Sequence, residues 1–76
     1  MNALLALLQG IRPEADFAAA KHFIQDGLLD SFDVVTLVAT LDKTYGISIE
    51  GVDIVPGNFE NLDTIAALLG KYGVRP

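Results

Sequence analysis

Cysteine and tryptophan are absent from this 76-residue chain, and methionine and histidine occur once each. Without cysteine there is no disulfide frame, no thiolate nucleophile and no sulfur ligand, and a single histidine excludes a His-rich metal site. Basic residues are scarce as well: five Lys and Arg stand against ten Asp and Glu, for a formal net charge of −5. Nucleic acid and anionic membrane surfaces are bound through Lys/Arg clusters, so both are excluded as expected partners. A partner with a basic docking surface fits this balance better. No apolar run approaches the length of a membrane span. The opening "MNALLALLQG" has no positive residue ahead of its apolar run. It reads as a helix face rather than as a targeting segment, which places the expected location in the cytoplasm.

What is abundant is apolar surface. Hydrophobic residues make up 51% of the chain, enough for a core, in one domain (1–76) near the lower size limit for folding alone. Residues 2–9 carry Leu4, Leu5 and Leu8 on one side, with Gly10 as the expected stop and Pro13 confirming the break. From Gly10 to Asp30 helical signals are few, and a loop of about twenty residues is uncommon without a functional reason. Within it Asp16 is placed to cap one turn through "FAAAKHF". Phe17, Phe23, Ile24, Leu28 and Leu29 are placed to pin the segment to the core, and Gly27 suits a tight turn.

The next helix has the clearest pattern. At about 100° per residue, Val34, Leu37, Val38, Leu41 and Tyr45 share one face, and Gly46 ends the run. "ISIEGVDIVPGNFE" alternates like a strand but has no second strand to pair with, so it reads as a connection with one short helical turn near Val52 or Pro56. Asn61 caps a last helix with Leu62, Ile65, Ala66, Leu69 and Tyr72 on one face, ending at Gly73. The expected fold is all-α: a small four-helix bundle of three main helices and one short one, with a long first loop.

Chemistry centres on "LLDSFD", residues 28–33. Ser31 reads first as a helix N-cap, with Asp33 a favourable charge in the first turn. A hydrolase reading lacks the glycines of a nucleophile elbow, and nothing in the spacing brings His22 to Ser31. A third reading looks at the outward face of the second helix. There Phe32, Val35 and Ala39 recur at i, i+3 and i+7 beside Thr36 and Lys43. Scattered exposed apolar residues are ordinary, and the long loop is able to cover Phe32. Left uncovered, the same residues form a partner patch next to a presented hydroxyl.

"DGLLDSFDVVTLVATLDKTYGISIEG", followed by "VPGNFENLDTIAALL", resembles the acyl carrier proteins, including free-standing carriers such as the D-alanyl carrier proteins. The likeness spans nearly the whole chain, with the Asp-Ser-apolar motif Asp30, Ser31, Phe32 at its centre. The resemblance implies a carrier-type bundle in which Ser31 bears 4′-phosphopantetheine, installed from coenzyme A by a phosphopantetheinyl transferase. It gives Asp30 a role beside the attachment point, and the thiol of the arm holds acyl or aminoacyl groups as thioesters. The missing cysteine is then no obstacle, and the chain itself is not an enzyme.

Phe32 stands where the family commonly has Leu, or Met in D-alanyl carriers. The outer face of the second helix offers Asp33 and Asp42 among Thr36, Thr40 and Lys43, where fatty-acid carriers are commonly rich in Glu. These features point to a dedicated partner, such as an acyl- or aminoacyl-adenylating ligase, with downstream transferases after it. The expected docking residues are Phe32, Asp33, Val35, Ala39 and Asp42, on a monomer. The alternative is an unmodified helical interaction module that uses the Phe32/Val35 face.

Overall fold

The computed structural model describes residues 2–75. Helix α1 spans Asn2–Ile11, α2 spans Ser31–Tyr45 and α3 spans Leu62–Lys71, with 3₁₀ turns at Gly51–Asp53 and Pro56–Phe59 between α2 and α3. No strand occurs among the described residues. The chain is thus a small, compact all-α bundle of three main helices and short 3₁₀ turns. Its radius of gyration, 11.1 Å, is close to the ~11 Å of a compact chain this long. The long first loop therefore lies on the body rather than away from it.

Gly10 does not stop α1, as the sequence suggests it should; the helix runs one residue past it to Ile11. Glycine weakens a helix without ending it, and the exit comes where Pro13 disfavours helical geometry at Arg12. The Arg12 amide still donates to the Leu8 carbonyl at 3.0 Å, which fixes Arg12 to the last turn.

The loop from Arg12 to Asp30 is a series of turns nailed down by aromatics. Asp16 Oδ1 accepts from the Ala19 amide at 3.3 Å, capping one turn as expected. Phe17 and Phe23 are fully buried and meet edge to face at 5.1 Å, an arrangement aromatic pairs favour. The Phe23 amide donates to the Glu60 carbonyl, and the Phe23 carbonyl accepts from both Leu28 and Leu29. Gly27 closes that turn at φ 78°, a backbone that residues with a Cβ rarely adopt. Leu29 is buried, and Ile24 and Leu28 are half-buried against the core.

The core stripe of α2 falls where the periodicity puts it: Leu37, Val38 and Leu41 are buried and Val34 and Tyr45 half-buried. Gly46 ends α2 in the left-handed region, and its amide donates to the Asp42 carbonyl. In α3, Asn61 caps through a reciprocal pair with Thr64, at 2.9 and 3.1 Å. Ile65, Leu68 and Leu69 are its buried residues, while Leu62, Ala66 and Tyr72 are half-buried. Leu68 thus joins the face assigned from sequence and completes its i, i+3, i+4 stripe. The last helix ends at Lys71, with Tyr72 as its C-cap, two residues before Gly73. Between α2 and α3 the alternating segment makes both 3₁₀ turns rather than one, near Val52 and at Pro56.

Candidate functional site

Asp30, not Ser31, is the N-cap of α2. Its Oδ1 accepts from the Asp33 amide at 2.9 Å, and its own amide donates to Asp33 Oδ2 at 3.1 Å. This is a capping box, with each residue serving the other's backbone. Serine and aspartate are comparable caps. Aspartate wins here because a second acceptor, Asp33, sits three residues after Asp30. Ser31 consequently becomes the first helical residue, exposed, and its hydroxyl is not needed for the cap.

The Asp33 amide hydrogen bond is the foremost reason the Asp30 carboxyl titrates below its ordinary range; the Phe32 amide and the charge of Arg12 add to it. Arg12 reaches this turn from the end of α1. Its Nη1 donates to Asp33 Oδ2 at 2.9 Å, the same oxygen that receives the Asp30 amide. Nothing in the sequence singles out Arg12, because the contact joins residues 21 apart along the chain.

The residues expected to dock partners separate into two kinds. Phe32 and Val35 are 82% and 65% exposed, and Ala39 is exposed in line with them. The long loop does not cover Phe32. The two acids are occupied instead. Asp33 is bound into the cap and to Arg12, and Asp42 is half-buried with Oδ1 accepting from the Ile49 amide at 2.9 Å. The outward face of α2 accordingly leads with apolar side chains, with Thr36 and Lys43 exposed among them and both acids engaged in hydrogen bonds.

Apolar exposure continues beyond α2. Val52 is 80% exposed, and Ile54 and Val55 are also open to solvent. An apolar cleft of about 290 Å³ lies beside Ser31, walled by Ile24, Val34, Val35, Ile54, Val55 and Pro56, with Asp30 and Ser31 as its polar lining. Reading "GVDIVPG" only as a connection hides this wall. The available signal is three large aliphatic residues in a segment with too few partners to bury them. His22, the remaining candidate from the sequence, lies elsewhere: its Nδ1 is 3.1 Å from Glu60 Oε2 at an exposed site, beside the start of α3 and away from the Ser31 cleft.

What the arrangement offers chemically is one accessible hydroxyl at a helix N-terminus, flanked by a carboxylate and an apolar hollow. Among the described residues no cluster of three or more His, Asp or Glu side chains is placed to hold a metal ion, and no helix is long and apolar enough to cross a membrane. The chain is a small helical module with an exposed Phe/Val face. No family model, no curated protein and no solved structure matches the chain.

Proposed function

We propose that this chain is an acyl or aminoacyl carrier of the acyl-carrier-protein type, with Ser31 the attachment point for a 4′-phosphopantetheine arm taken from coenzyme A. The observation that carries this reading is the release of Ser31 from capping duty. Asp30 does that work, leaving an exposed hydroxyl on the first residue of α2 beside an apolar cleft. These residues fit the group. The positive end of α2 favours an anionic ester at its first residue, and the turn is held in shape without the serine. The arm supplies a thiol on which acyl or aminoacyl groups ride as thioesters.

The chain's own residues hold and present. Asp30 and Asp33 fix the turn, and Phe32 and Val35 give partner enzymes an apolar grip next to the acceptor. The partners in this reading are a phosphopantetheinyl transferase, an adenylating ligase that loads the thiol and transferases that unload it. The setting is cytoplasmic, where coenzyme A is at hand. The test is direct. Incubation with coenzyme A and a broad-specificity phosphopantetheinyl transferase should raise the intact mass by one phosphopantetheine, and Ser31→Ala should abolish the rise.

A second reading rests on a different observation, the 82% exposure of Phe32 together with 65% for Val35. Large side chains held this far out suit an unmodified helical interaction module that docks a partner through α2. An unchanged mass across several transferases would favour it over the carrier.

A further inference from the structure

Capping boxes usually join a hydroxyl to a carboxylate or amide side chain. The box at the start of α2 instead joins two aspartates, Asp30 and Asp33, across one turn. Two carboxylates this close repel when both are ionised. The positive end of the helix offsets part of that, and one side chain from outside the helix offsets more. Arg12 Nη1 stands 2.9 Å from Asp33 Oδ2. That oxygen already receives the Asp30 amide, so a single atom joins the end of α1 to both halves of the box.

Arg12 is itself well placed to act as a brace. Its amide is bonded to the Leu8 carbonyl, which fixes the residue to the last turn of α1, and Glu14 Oε1 lies 2.8 Å from its Nε as a charge contact without a hydrogen bond. Its side chain is 34% exposed and that of Asp33 15%, so the pair is more sheltered than the surface ion pairs that contribute little. The two residues enclosed by the box, Ser31 and Phe32, are exposed.

We infer that Arg12 is a positioning residue for Ser31: by neutralising Asp33 it keeps the two-aspartate box closed and holds the Ser31 backbone at the helix start, where its hydroxyl is presented for modification. The inference rests on the carrier reading of Ser31. Loss of Arg12 leaves only the helix's positive end and the box amides against the two carboxylates, so the box opens more often and the Ser31 backbone loosens. Phe32 and Val35 stay exposed, so encounter with the transferase changes less than turnover does.

The experiment measures transferase kinetics with saturating coenzyme A on the full chain, comparing wild type with Arg12→Ala, Arg12→Lys, Asp33→Asn and the Arg12→Ala/Asp33→Asn double variant. Arg12→Ala should lose roughly ten-fold in kcat with a smaller change in KM, and Arg12→Lys should recover much of it. The double variant should be modified faster than Arg12→Ala alone, because an asparagine in place of Asp33 still accepts the Asp30 amide without the charge that needs compensation. Amide hydrogen exchange at Asp33 gives a readout independent of modification. It should speed up in Arg12→Ala while amides of Leu37 and Leu41 keep their protection. Modification of Arg12→Ala at the wild-type rate, or a double variant no better than Arg12→Ala, overturns the role of Arg12 and leaves the carrier reading standing. A wild type that no transferase modifies overturns both.

Discussion

The Tyr72 hydroxyl donates to Asp53 Oδ2 at 2.6 Å, while Lys71 Nζ sits 2.7 Å from the other oxygen of the same carboxylate. The Tyr72 oxygen also accepts from the Glu50 amide at 3.0 Å. Lys71 and Tyr72 at the end of α3 thus clamp Asp53 and the Glu50 amide, and with them the segment that leads into Ile54, Val55 and Pro56, one wall of the cleft. The clamp ties that wall to the bundle, so its integrity bears on the shape of the hollow beside Ser31.

The clamp predicts a stability profile with two limbs. The hydrogen bond from Lys71, and then that from Tyr72, lowers the Asp53 carboxyl below its ordinary value. A lowered carboxyl contributes stability that is present above its unfolded value and lost as pH falls through its folded one, below about pH 4. Asp53 in turn raises both Lys71 and Tyr72. Their contributions are present below their unfolded values and lost as pH rises through the folded ones, above about pH 10. Asp53→Asn should therefore flatten the melting temperature against pH at both ends. Parallel profiles for variant and wild type would show that the clamp carries no linkage.

Capping by Asp30 rather than Ser31 separates two adjacent substitutions. Asp30→Ala removes the acceptor of the Asp33 amide, and loss of this N-cap should lower thermal melting by several degrees. Ser31→Ala should stay within about 0.5 kcal/mol of wild type, because its hydroxyl is spared from the cap. The reverse order would return Ser31 to a purely structural role.

Leu41 is fully buried in the middle of the α2 stripe. Truncation of such a leucine to alanine costs about 2–5 kcal/mol, against a total of about 5 kcal/mol or somewhat more for a small domain. Leu41→Ala should melt far below wild type or be largely unfolded at 37 °C, as far-UV circular dichroism would record. Unaltered melting would mean that α2 turns a different face to the core.

The parts of this fold legible in the sequence are those fixed by local periodicity. Leu37, Val38 and Leu41 had to lie together because helical spacing puts them on one side, and Asn61 and Gly46 mark their helix ends by side-chain and backbone chemistry that acts within one turn. The cap of α2 was legible in principle, since Asp33 stands at the box spacing from Asp30 and no equivalent acceptor follows Ser31. Pairings such as Arg12 with Asp33 and Tyr72 with Asp53 were not legible. They depend on how separate elements come together, and any of several charged side chains would satisfy the same composition. The cleft wall at Ile54 and Val55 was hidden for a related reason. An alternating apolar segment suits a strand, a buried connection or an exposed rim, and only the placement of α2 and α3 decides among them.

Recognition of the outward face of α2 yields the last prediction. Both acids expected there are engaged, Asp33 by Arg12 and the Asp30 amide and Asp42 by the Ile49 amide. A partner docking on this face would meet Phe32, Val35 and Ala39, with Thr36 and Lys43 beside them. Charge-led docking weakens steeply as salt shortens the Debye length, whereas burial of a large apolar side chain does not. Aromatic anchors at interfaces commonly cost about 2 kcal/mol or more on truncation, and rim charges cost less. Phe32→Ala should therefore lower the efficiency of partner turnover by roughly ten-fold or more, with melting unchanged because the ring is 82% exposed. Lys43→Gln is the proper comparator and should have a smaller effect. Asp42→Ala is a poor one, since it removes the acceptor of the Ile49 amide just beyond α2. The measurement is modification of Ser31 by the transferase, or capture of the cognate partner, at low and moderate salt. If Lys43→Gln proves more damaging than Phe32→Ala, or moderate salt abolishes the wild-type interaction, then docking is electrostatic and the apolar face is incidental to it.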